Sequence, residues 1–292
     1  MDLRRHRLTI LVLALLTTPL LNATSPHTWV SGAGSDSNTG ARTSPFATFQ
    51  TAVDNTTAGG IVSVIDPGDF GPVSISKAVT IDGGGAGGTI SFTGAQGVFV
   101  FAGASDTVVL RHLTINGLGT GNDGIFYSTG QNLIVEDCVM ENFTQIGLGV
   151  GSGTALNLVV RNSVITGGTL GLRVFQGLGP DQISVRGVTI SSASQVGVFI
   201  RSGLTEISDS IITQNLVGLE ADSGSTINVA NSVISYNGTD SISFPPANIL
   251  LSNNNTLFAN NGTGSGLSTT LGFGGHPKTA ANPDDKPRPN RQ

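Results

Sequence analysis

Charged and aromatic residues are scarce in this chain, and cysteine is almost absent. Of 292 residues, 11% are charged and 5% are aromatic, with one Trp and one Cys. An ordinary domain carries about 25% charged residues, so a salt-bridged helical surface is not expected. A single cysteine excludes an internal disulfide framework. The formal net charge is −5 and the repeated region has no cluster of Lys and Arg. This argues against a nucleic-acid partner, because phosphate binding requires such a cluster.

Long apolar runs are also missing, apart from one near the N-terminus. Three arginines precede an apolar run from Leu8 to Leu16, and Leu21-Asn22-Ala23 offers a cleavage site. The pattern predicts a secretory signal peptide over residues 1–23, because a membrane span takes about 20 apolar residues and this run is shorter. We therefore expect a protein that is secreted or displayed at the cell surface, with no membrane span once the signal is removed.

Glycine is abundant, with 41 residues, and most of the chain is built on a repeat. An aliphatic anchor recurs with steps of 25, 25, 25, 22, 22 and 22, and two positions later stands a residue type that tolerates a left-handed backbone. The anchors are Leu110, Val135, Val160, Val185, Ile207, Val229 and Leu251, and the bend residues are His112, Asp137, Asn162, Gly187, Asp209, Asn231 and Asn253. Such a period in strand-forming sequence predicts a solenoid.

A second strand in each repeat opens with glycine in most coils. The opening residues are Gly97, Gly124, Gly147, Gly171, Gly197 and Gly218, with Ser241 in the same place. Alternation along these strands predicts two outward rows. The first row is Phe99, Phe126, Gly149, Arg173, Phe199, Glu220 and Ser243, and the second is Phe101, Ser128, Gly151, Phe175, Arg201, Asp222 and Pro245. A third short strand follows each bend, so we predict an all-β chain of about eight coils with three strands per coil.

The region before the repeats predicts a short capping helix. Thr43-Ser44-Pro45 is typical of a helix start, and apolar residues between Phe46 and Val53 then fall on one helical face. Gly59-Gly60 would end the helix, and Ile61 to Ile65 would form the first strand. A helix here would cover the open end of the solenoid.

The repeats and the cap resemble the right-handed parallel β-helix of the pectate-lyase-like superfamily, in particular its exported bacterial members. The resemblance covers about residues 28 to 272. Its opening segments are Gly34-Ser35-Asp36-Ser37-Asn38-Thr39-Gly40, Ser44-Pro45-Phe46-Ala47-Thr48-Phe49-Gln50-Thr51-Ala52-Val53, Asp66-Pro67-Gly68-Asp69-Phe70 and Ile81-Asp82-Gly83-Gly84-Gly85. The resemblance implies a site on the outer side of the glycine-opened strands. It implies no particular reaction, because the usual motifs of pectate lyases and polygalacturonases are missing.

Four regions follow from this division. We predict a signal peptide over residues 1–23, an N-terminal cap region over 28–70, a single-stranded right-handed parallel β-helix over 71–275 and a disordered tail over 276–292. The tail is rich in Pro, Lys, Asp and Asn and has no apolar period.

Five phenylalanines stand at predicted outward positions, where the resemblance places the ligand site. They are Phe99, Phe101, Phe126, Phe175 and Phe199. Exposed rings can stack on sugars or bury a partner; alternatively, a neighbouring turn or the capping helix covers them. We expect a polysaccharide-binding or structural protein, either a monomer or a side-by-side oligomer.

Arg173, Arg201, Glu220 and Asp222 are predicted to cluster across three neighbouring coils. These residues favour the alternative function, a small lyase or hydrolase acting on a uronide polymer. In β-elimination a base takes a proton and a cation stabilises the enolate, and the two acids offer oxygen ligands for Ca²⁺. The competing interpretation is a surface ion-pair ladder with Arg201 facing Asp222, worth under about 1 kcal/mol per pair.

Other polar residues have structural explanations. Asp36 and Asn38 offer oxygen atoms for Ca²⁺, but a turn made by these Asx residues is the preferred interpretation, and no cofactor is expected. His112 occupies a bend position, which explains it without a catalytic role. Cys138 is expected to be a small buried residue in a stacked column, because no His partner for a nucleophile is evident.

Overall fold

The computed structural model describes residues 24–151, 156–175, 181–222, 224–252 and 254–262, and the backbone of 267–269. The predicted signal peptide and tail lie outside these residues. In chain order the elements are β1 (Ser25–Val30), α1 (Phe49–Asn55), β2 (Thr56–Val64), β3 (Gly68–Asp69), β4 (Val73–Ile75), β5 (Val79–Asp82), a 3-10 turn (Gly84–Ala86), β6 (Gly88–Ser91), β7 (Gln96–Phe101), β8 (Thr107–Arg111), β9 (Leu113–Asn116), β10 (Asp123–Thr129), β11 (Asn132–Glu136), β12 (Val139–Glu141), β13 (Ile146–Val150), β14 (Asn157–Arg161), β15 (Val164–Thr166), β16 (Leu170–Val174), β17 (Gln182–Arg186), β18 (Thr189–Ser191), β19 (Val196–Ile200), β20 (Gly203–Ser208), β21 (Ile211–Thr213), β22 (Val217–Ala221), β23 (Ser225–Ala230), β24 (Val233–Ser235), β25 (Thr239–Ser243), β26 (Asn248–Leu251), β27 (Thr256–Phe258) and β28 (Leu267–Thr269).

Three parallel sheets form the walls of a β-helix, as the sequence predicts. Sheet A has 11 strands in the order β1-β2-β5-β8-β11-β14-β17-β20-β23-β26-β28. Sheet B has 8 strands, β25-β22-β19-β16-β13-β10-β7-β4, and sheet C has 9, β27-β24-β21-β18-β15-β12-β9-β6-β3. Each strand pairs with the equivalent strands one coil away. The eight strands of sheet B, one per coil, define about seven full turns.

The core runs along the axis of the β-helix as stacked aliphatic side chains. In β7, Val98 and Val100 point inward and are fully buried, as are their counterparts in the coils that follow. Glycine opens these strands because the chain passes close to the next coil. A Cβ at Gly124 would lie 2.6 Å from the carbonyl oxygen of Gly147, closer than a real Cβ approaches an oxygen.

The tight bends after the sheet A strands have the predicted left-handed backbone. The φ angles are 55° at His112, 51° at Asp137, 47° at Asn162, 65° at Gly187, 52° at Asp209 and 50° at Asn231. In the last coil the predicted bend residue, Asn253, lies outside the described residues, and its neighbour Asn254 has a φ of 72°. Leu251 pairs with Val229 and Thr256 pairs with Val233, so this coil has one more residue between these two paired positions than the coil before it.

Residues that follow the bends bond from coil to coil. The backbone N–H of Cys138 donates to Ser163 Oγ at 3.1 Å, and that of Ser210 donates to Ser232 Oγ at 3.1 Å. Cys138 is buried, which confirms its predicted place in a column of small residues. Burial raises the pKa of its thiol to about 12, so the side chain stays protonated and packs as a small apolar group.

A second polar row, which the sequence analysis missed, lies inside the β-helix between sheets C and B. Asn215 Oδ1 accepts the Ala193 N–H at 2.9 Å, Asn237 Oδ1 accepts the Asn215 N–H at 3.0 Å, and Asn260 Oδ1 accepts the Asn237 N–H at 2.9 Å. Each asparagine follows a residue with positive φ, such as Gln214 at 58°. This asparagine ladder satisfies backbone groups that the turn into sheet B leaves without strand partners.

A short helix caps the N-terminal end, as predicted, but its predicted start is wrong. Phe46 is paired to β1, since its N–H donates to the Trp29 carbonyl at 2.9 Å. That extended backbone excludes a helix starting at Pro45. The helix begins instead at Phe49, with Thr48 as its N-cap.

The predicted helix end is also wrong, because Gly59-Gly60 lies within β2. The helix ends at Asn55 with Thr56 as its C-cap. The strand β1 precedes β2 at the edge of sheet A, so the segment from Ile61 to Val64 belongs to the second strand of the sheet rather than the first, and Ile65 lies just beyond it. Three of the residues predicted to share the inner face of the helix, Phe49, Ala52 and Val53, are buried.

Candidate functional site

Sheet B carries the candidate site residues on its outer face, where strand alternation places them. Ala221 points inward and is fully buried, while Glu220 and Asp222 on either side point outward. Parallel pairing aligns the outward side chains of successive coils, as with Phe99 beside Phe126. Seven of these side chains define what we call the Phe/Arg surface: Phe99, Phe101, Phe126, Arg173, Phe175, Phe199 and Arg201.

Three rings cluster at the N-terminal end of the Phe/Arg surface. The ring centroids of Phe99 and Phe101 lie 5.1 Å apart, and those of Phe99 and Phe126 lie 6.1 Å apart. Phe101 is 42% exposed, and the other two are partly shielded. A Cβ at Gly151 would lie 3.1 Å from the Phe126 ring, so glycine leaves room for this ring against the backbone. The capping helix packs against β1, β2 and β4 instead.

Arg173 is a fixed cation on this surface. Its guanidinium carbon lies 3.3 Å from the ring centroid of Phe175, a cation–π contact that also shields the ring. Its Nε is buried and has no hydrogen-bond partner among the described residues. Burial lowers the pKa of Arg173, and the nearby Arg201 lowers it further, whereas Asp123 opposes both effects.

Arg201, Glu220 and Asp222 come together as predicted, and two of them form an ion pair. Arg201 Nε donates to Asp222 Oδ2 at 2.8 Å. The same guanidinium lies 5.7 Å from the ring centroid of Phe199. Burial raises the pKa of Glu220, repulsion by Asp222 raises it further, and Arg201 opposes the rise. The two neighbouring acids thus have different environments, one ion-paired and the other drawn toward its protonated form.

The last strand of sheet B is one residue out of the predicted register. Glu220 pairs with Ile242, so Ile242 points outward and Ser243, predicted to be outward, is buried. Phe244, rather than Pro245, continues the second outward row and is exposed. The outer face of sheet B therefore ends in two apolar side chains that the sequence analysis did not place there.

The predicted register was displaced because Asp240 stands where the other coils have glycine. It lies beside Gly218 of the preceding coil, in the place of the opening glycine to which Ser241 was assigned. A slip of one residue turns every side chain of a strand to the other face. The step from Gly218 to Asp240 equals the step between the anchors Val229 and Leu251, so a constant step would have predicted the observed register.

Asp123 is a further residue near the site. It opens β10 and is buried, and its Oδ1 accepts the Ile146 N–H at 3.2 Å. Burial raises the pKa of this carboxyl, while the Ile146 bond and the charge of Arg173 oppose the rise. The position of this acid directly before the opening glycine Gly124 is visible in the sequence. Its electrostatic interaction with Arg173 is not, because that depends on the conformation of the arginine side chain.

The loop of Asp36 and Asn38 holds the start of the capping helix. Asp36 Oδ1 accepts the backbone N–H groups of Ala47 and Thr48 at 2.9 and 3.0 Å. The Asn38 amide donates to the Pro45 carbonyl at 2.7 Å. These bonds fit the preferred interpretation of a turn made by Asx residues. Calcium binding stays a prediction; across the described ranges no three His, Cys, Asp or Glu side chains form a metal-binding group.

His112 belongs to the row of bends on the other side of the β-helix. Its Nδ1 lies 2.8 Å from Asp82 Oδ1, and Arg111 Nη2 lies 2.9 Å from Asp82 Oδ2. Arg161 and Glu136 form a similar contact at 2.7 Å. These charges link neighbouring coils at the surface, which agrees with a structural explanation for His112.

Comparison with known proteins now identifies the class. The family model described as "Right handed beta helix region" matches residues 96–272, more than half of the chain. The protein therefore belongs to this family of right-handed parallel β-helix proteins, which confirms the predicted fold. No curated protein matches the chain. Within the described part of the chain, no helix is long and apolar enough to cross a membrane.

Two solved structures are similar to this chain. The crystal structure of pectate lyase Pel9A matches with a TM-score of 0.62 and 15% identity, covering 88% of this chain and 73% of that one. A rhamnogalacturonan lyase matches with a TM-score of 0.27 and 12% identity, covering 80% and 75%. At so low an identity, the match to the pectate lyase establishes a shared fold and leaves the activity open.

Proposed function

We propose that this protein binds polysaccharide through the Phe/Arg surface and acts outside the cell, secreted or at the cell surface. The observation that carries the proposal is the continuous arrangement of the surface itself. The ring of Phe99 contacts those of Phe101 and Phe126, and two arginines further along the axis lie over additional rings. Aromatic faces stack on the apolar sides of sugar rings, and guanidinium groups bind hydroxyl and carboxylate oxygens. The fold shared with a pectate lyase supports a polysaccharide-related role.

The two arginines contribute differently to this proposal. Arg201 is engaged by Asp222, so a ligand would have to share or displace that contact. Arg173 is held against Phe175 with its Nε buried, which leaves its terminal nitrogens as the groups offered to a ligand. A cation held in this way loses little side-chain freedom on binding.

Affinity electrophoresis of the whole chain in gels containing polygalacturonate or neutral polysaccharides tests the proposal. Phe101→Ala should weaken retardation and leave the melting temperature unchanged, because the ring is exposed. The triple variant Phe99→Ala, Phe126→Ala, Phe199→Ala should abolish retardation. Tyr236→Ala removes an exposed ring outside the surface and is the matched control.

Three results would contradict this function. Full retardation of the triple variant would exclude these rings from binding. An equal loss in Tyr236→Ala would show a general effect of removing exposed aromatic area. A collapse of the melting temperature in the triple variant would show that the rings belong to the core rather than to a ligand surface.

A lyase or hydrolase acting on a uronide polymer is the second candidate. It is favoured by the neighbouring acids, since Glu220 has a raised pKa while Asp222 is ion-paired. Glycoside hydrolysis uses one protonated and one ionised carboxyl group, and β-elimination uses a cation beside the substrate carboxylate. Polyuronides would be incubated with and without Ca²⁺, and ultraviolet-absorbing unsaturated products and new reducing ends would be measured. Loss of the first signal in Arg201→Ala, or of the second in Glu220→Gln, would support catalysis; flat traces in both assays would contradict it.

A further inference from the structure

The outer face of sheet A contains a groove that is separate from the Phe/Arg surface. Two open cavities of about 490 Å³ and about 340 Å³ share Ser184 and Glu206 as lining residues. Together they cross β14, β17, β20, β23 and β26, and we call them the sheet A groove. The side chains that matter most for its chemistry are Gln182, Ser184, Leu204, Glu206, Asn228 and Leu250.

Most polar side chains in this groove are not used by the protein itself. Asn157 and Ser252 bond within the chain, whereas five lining residues have no side-chain hydrogen bond to any other described residue: Gln182, Ser184, Glu206, Ser208 and Asn228. The same face is different toward the N-terminus, where Asn157 donates to Asn132 at 3.0 Å and Asn132 donates to Thr107 at 2.8 Å. Hydrogen-bonding groups are thus paired between coils in one half of the sheet and directed to solvent in the other.

The charge of the groove restricts what can occupy it. Glu206 is the one charged side chain among the lining residues, and it disfavours an anionic polymer such as a uronide or a nucleic acid. The nearby cation Arg186, which stands beside Ser208, is ion-paired with Asp209 at 3.1 Å. A single carboxylate is also too few ligands for a metal ion. Amide, hydroxyl and carboxylate groups all bond well to neutral hydroxyls.

Apolar contacts and length complete the description of the ligand. Leu204 is exposed at one side of the groove, and Leu250 lines its far end. Such side chains cover the C–H faces of a sugar ring. Neighbouring strands lie about 4.8 Å apart, so five strands span about 19 Å, the length of a short oligosaccharide. We infer that the sheet A groove binds a neutral glycan chain lying along the axis of the β-helix. The inference does not rest on the function proposed for the Phe/Arg surface.

Isothermal titration of the whole chain with cellohexaose, xylohexaose and mannohexaose tests this inference, with hexagalacturonate as the acidic comparison. At least one neutral hexasaccharide should bind, and hexagalacturonate should not compete with it. Asn228→Ala removes a donor and an acceptor and should weaken binding about tenfold, as expected for the loss of one good hydrogen bond. Ser184→Arg is at an exposed position and fills the groove, so it should abolish binding.

Two control variants separate the groove from the rest of the surface. Asn248→Ala makes the same change on β26 at an exposed residue outside the groove, and Tyr236→Ala removes an exposed ring that lies outside both the groove and the Phe/Arg surface. Both should leave the affinity for the neutral hexasaccharide unchanged. Circular dichroism and melting temperature check that every variant is folded.

Several outcomes would overturn the inference. One is that no neutral hexasaccharide binds. Others are that hexagalacturonate binds as tightly as the neutral hexasaccharide, or that Asn228→Ala and Ser184→Arg leave the affinity unchanged. If Phe126→Ala, a change in the Phe/Arg surface, loses binding while Ser184→Arg keeps it, the neutral hexasaccharide binds the Phe/Arg surface instead of the groove. If instead the wild type sediments as a dimer and Ser184→Arg as a monomer, with no sugar bound by either, the groove is an interface between two copies of this chain.

Discussion

Arg201 and Asp222 directly follow the neighbouring strands β19 and β22 of sheet B and bond through Nε and Oδ2 at 2.8 Å. The arginine also lies 5.7 Å from the centroid of Phe199. The pair therefore joins the aromatic part of the outer face to its acidic part. Both side chains retain contact with water, since 42% of the arginine and 23% of the aspartate side chain is exposed. Water and salt should screen their attraction.

The coupling energy between Arg201 and Asp222 should accordingly be small. A double-mutant cycle with Arg201→Gln and Asp222→Asn should give about 1 kcal/mol or less, as for other exposed ion pairs. The energy should fall further in concentrated salt, because exposed charges are screened. Urea unfolding of the four proteins measures it. A coupling several times larger that does not respond to salt would show that the pair is effectively buried.

Glu220 should make stability depend on pH in a predictable direction. Burial and Asp222 raise its pKa above the ordinary value of 4.5. The folded protein then binds this proton more tightly than the unfolded chain, so the associated stability is fully present below the unfolded pKa and is lost as pH rises through the folded pKa. Glu220→Gln keeps the shape and removes the charge. Its melting temperature should exceed that of the wild type near neutral pH, and the difference should vanish in acid.

Removing any negative charge from an acidic protein can raise its melting temperature, so a second variant is needed. Glu206→Gln makes the same change on the exposed face of sheet A. The pH-dependent gain should be larger in Glu220→Gln than in Glu206→Gln. Equal gains in the two variants would assign the effect to net charge rather than to the surroundings of Glu220.

Much of the fold is readable from the sequence because the bends require particular residue types. Asn162 and Gly187 hold positive φ angles, which few other residues accept without strain. The steps between such residues therefore report the coils directly. The start of the capping helix was misplaced, because the local signal at Thr43-Ser44-Pro45 is overridden by pairing of Phe46 with β1, a contact between distant segments.

The candidate site was also predictable only in part. Alternation along the strands places Phe126 and Arg173 on one outer face, and this follows from the sequence alone. The contact of Arg173 with Phe175 and its interaction with Asp123 depend on side-chain conformation, which spacing does not encode. The wrong prediction that Ser243 points outward had a different cause. Asp240 replaces the glycine that marks the start of this strand in the other coils, so the register was counted from Ser241 instead.

The bend at Asn231 offers a test of backbone preference without a change in packing. Its side chain is exposed and its φ is 50°. Asn231→Val places a β-branched residue in the left-handed region and should lower the free energy of unfolding by about 1–2 kcal/mol. Asn231→Gly removes the steric cost and should be close to neutral. Urea unfolding measures both variants. Equal stability of the valine and glycine variants would mean that the bend relaxes to another conformation.

The asparagine ladder should contribute more to stability than any polar group on the outer faces. Asn237 is buried, its Oδ1 accepts the Asn215 N–H, and its Nδ2 donates to the Ile212 carbonyl at 3.1 Å. Asn237→Ala leaves the Asn215 N–H buried without its acceptor, which costs about 1–3 kcal/mol, and also removes the side-chain bond to the Ile212 carbonyl. We expect a loss of about 2–4 kcal/mol in the free energy of unfolding.

The loss in Asn237→Ala should also be local, because each coil of a solenoid contacts mainly its neighbours. Amide exchange should accelerate in β22, β24 and β25 more than in β7 and β10. Asn228→Ala is the matched control, since this asparagine lies on the outer face with no side-chain partner among the described residues, and it should change stability by less than about 0.5 kcal/mol. If the two variants lose equal stability, the interior ladder is not what holds these coils together. If exchange accelerates uniformly, the β-helix unfolds as one cooperative unit rather than coil by coil.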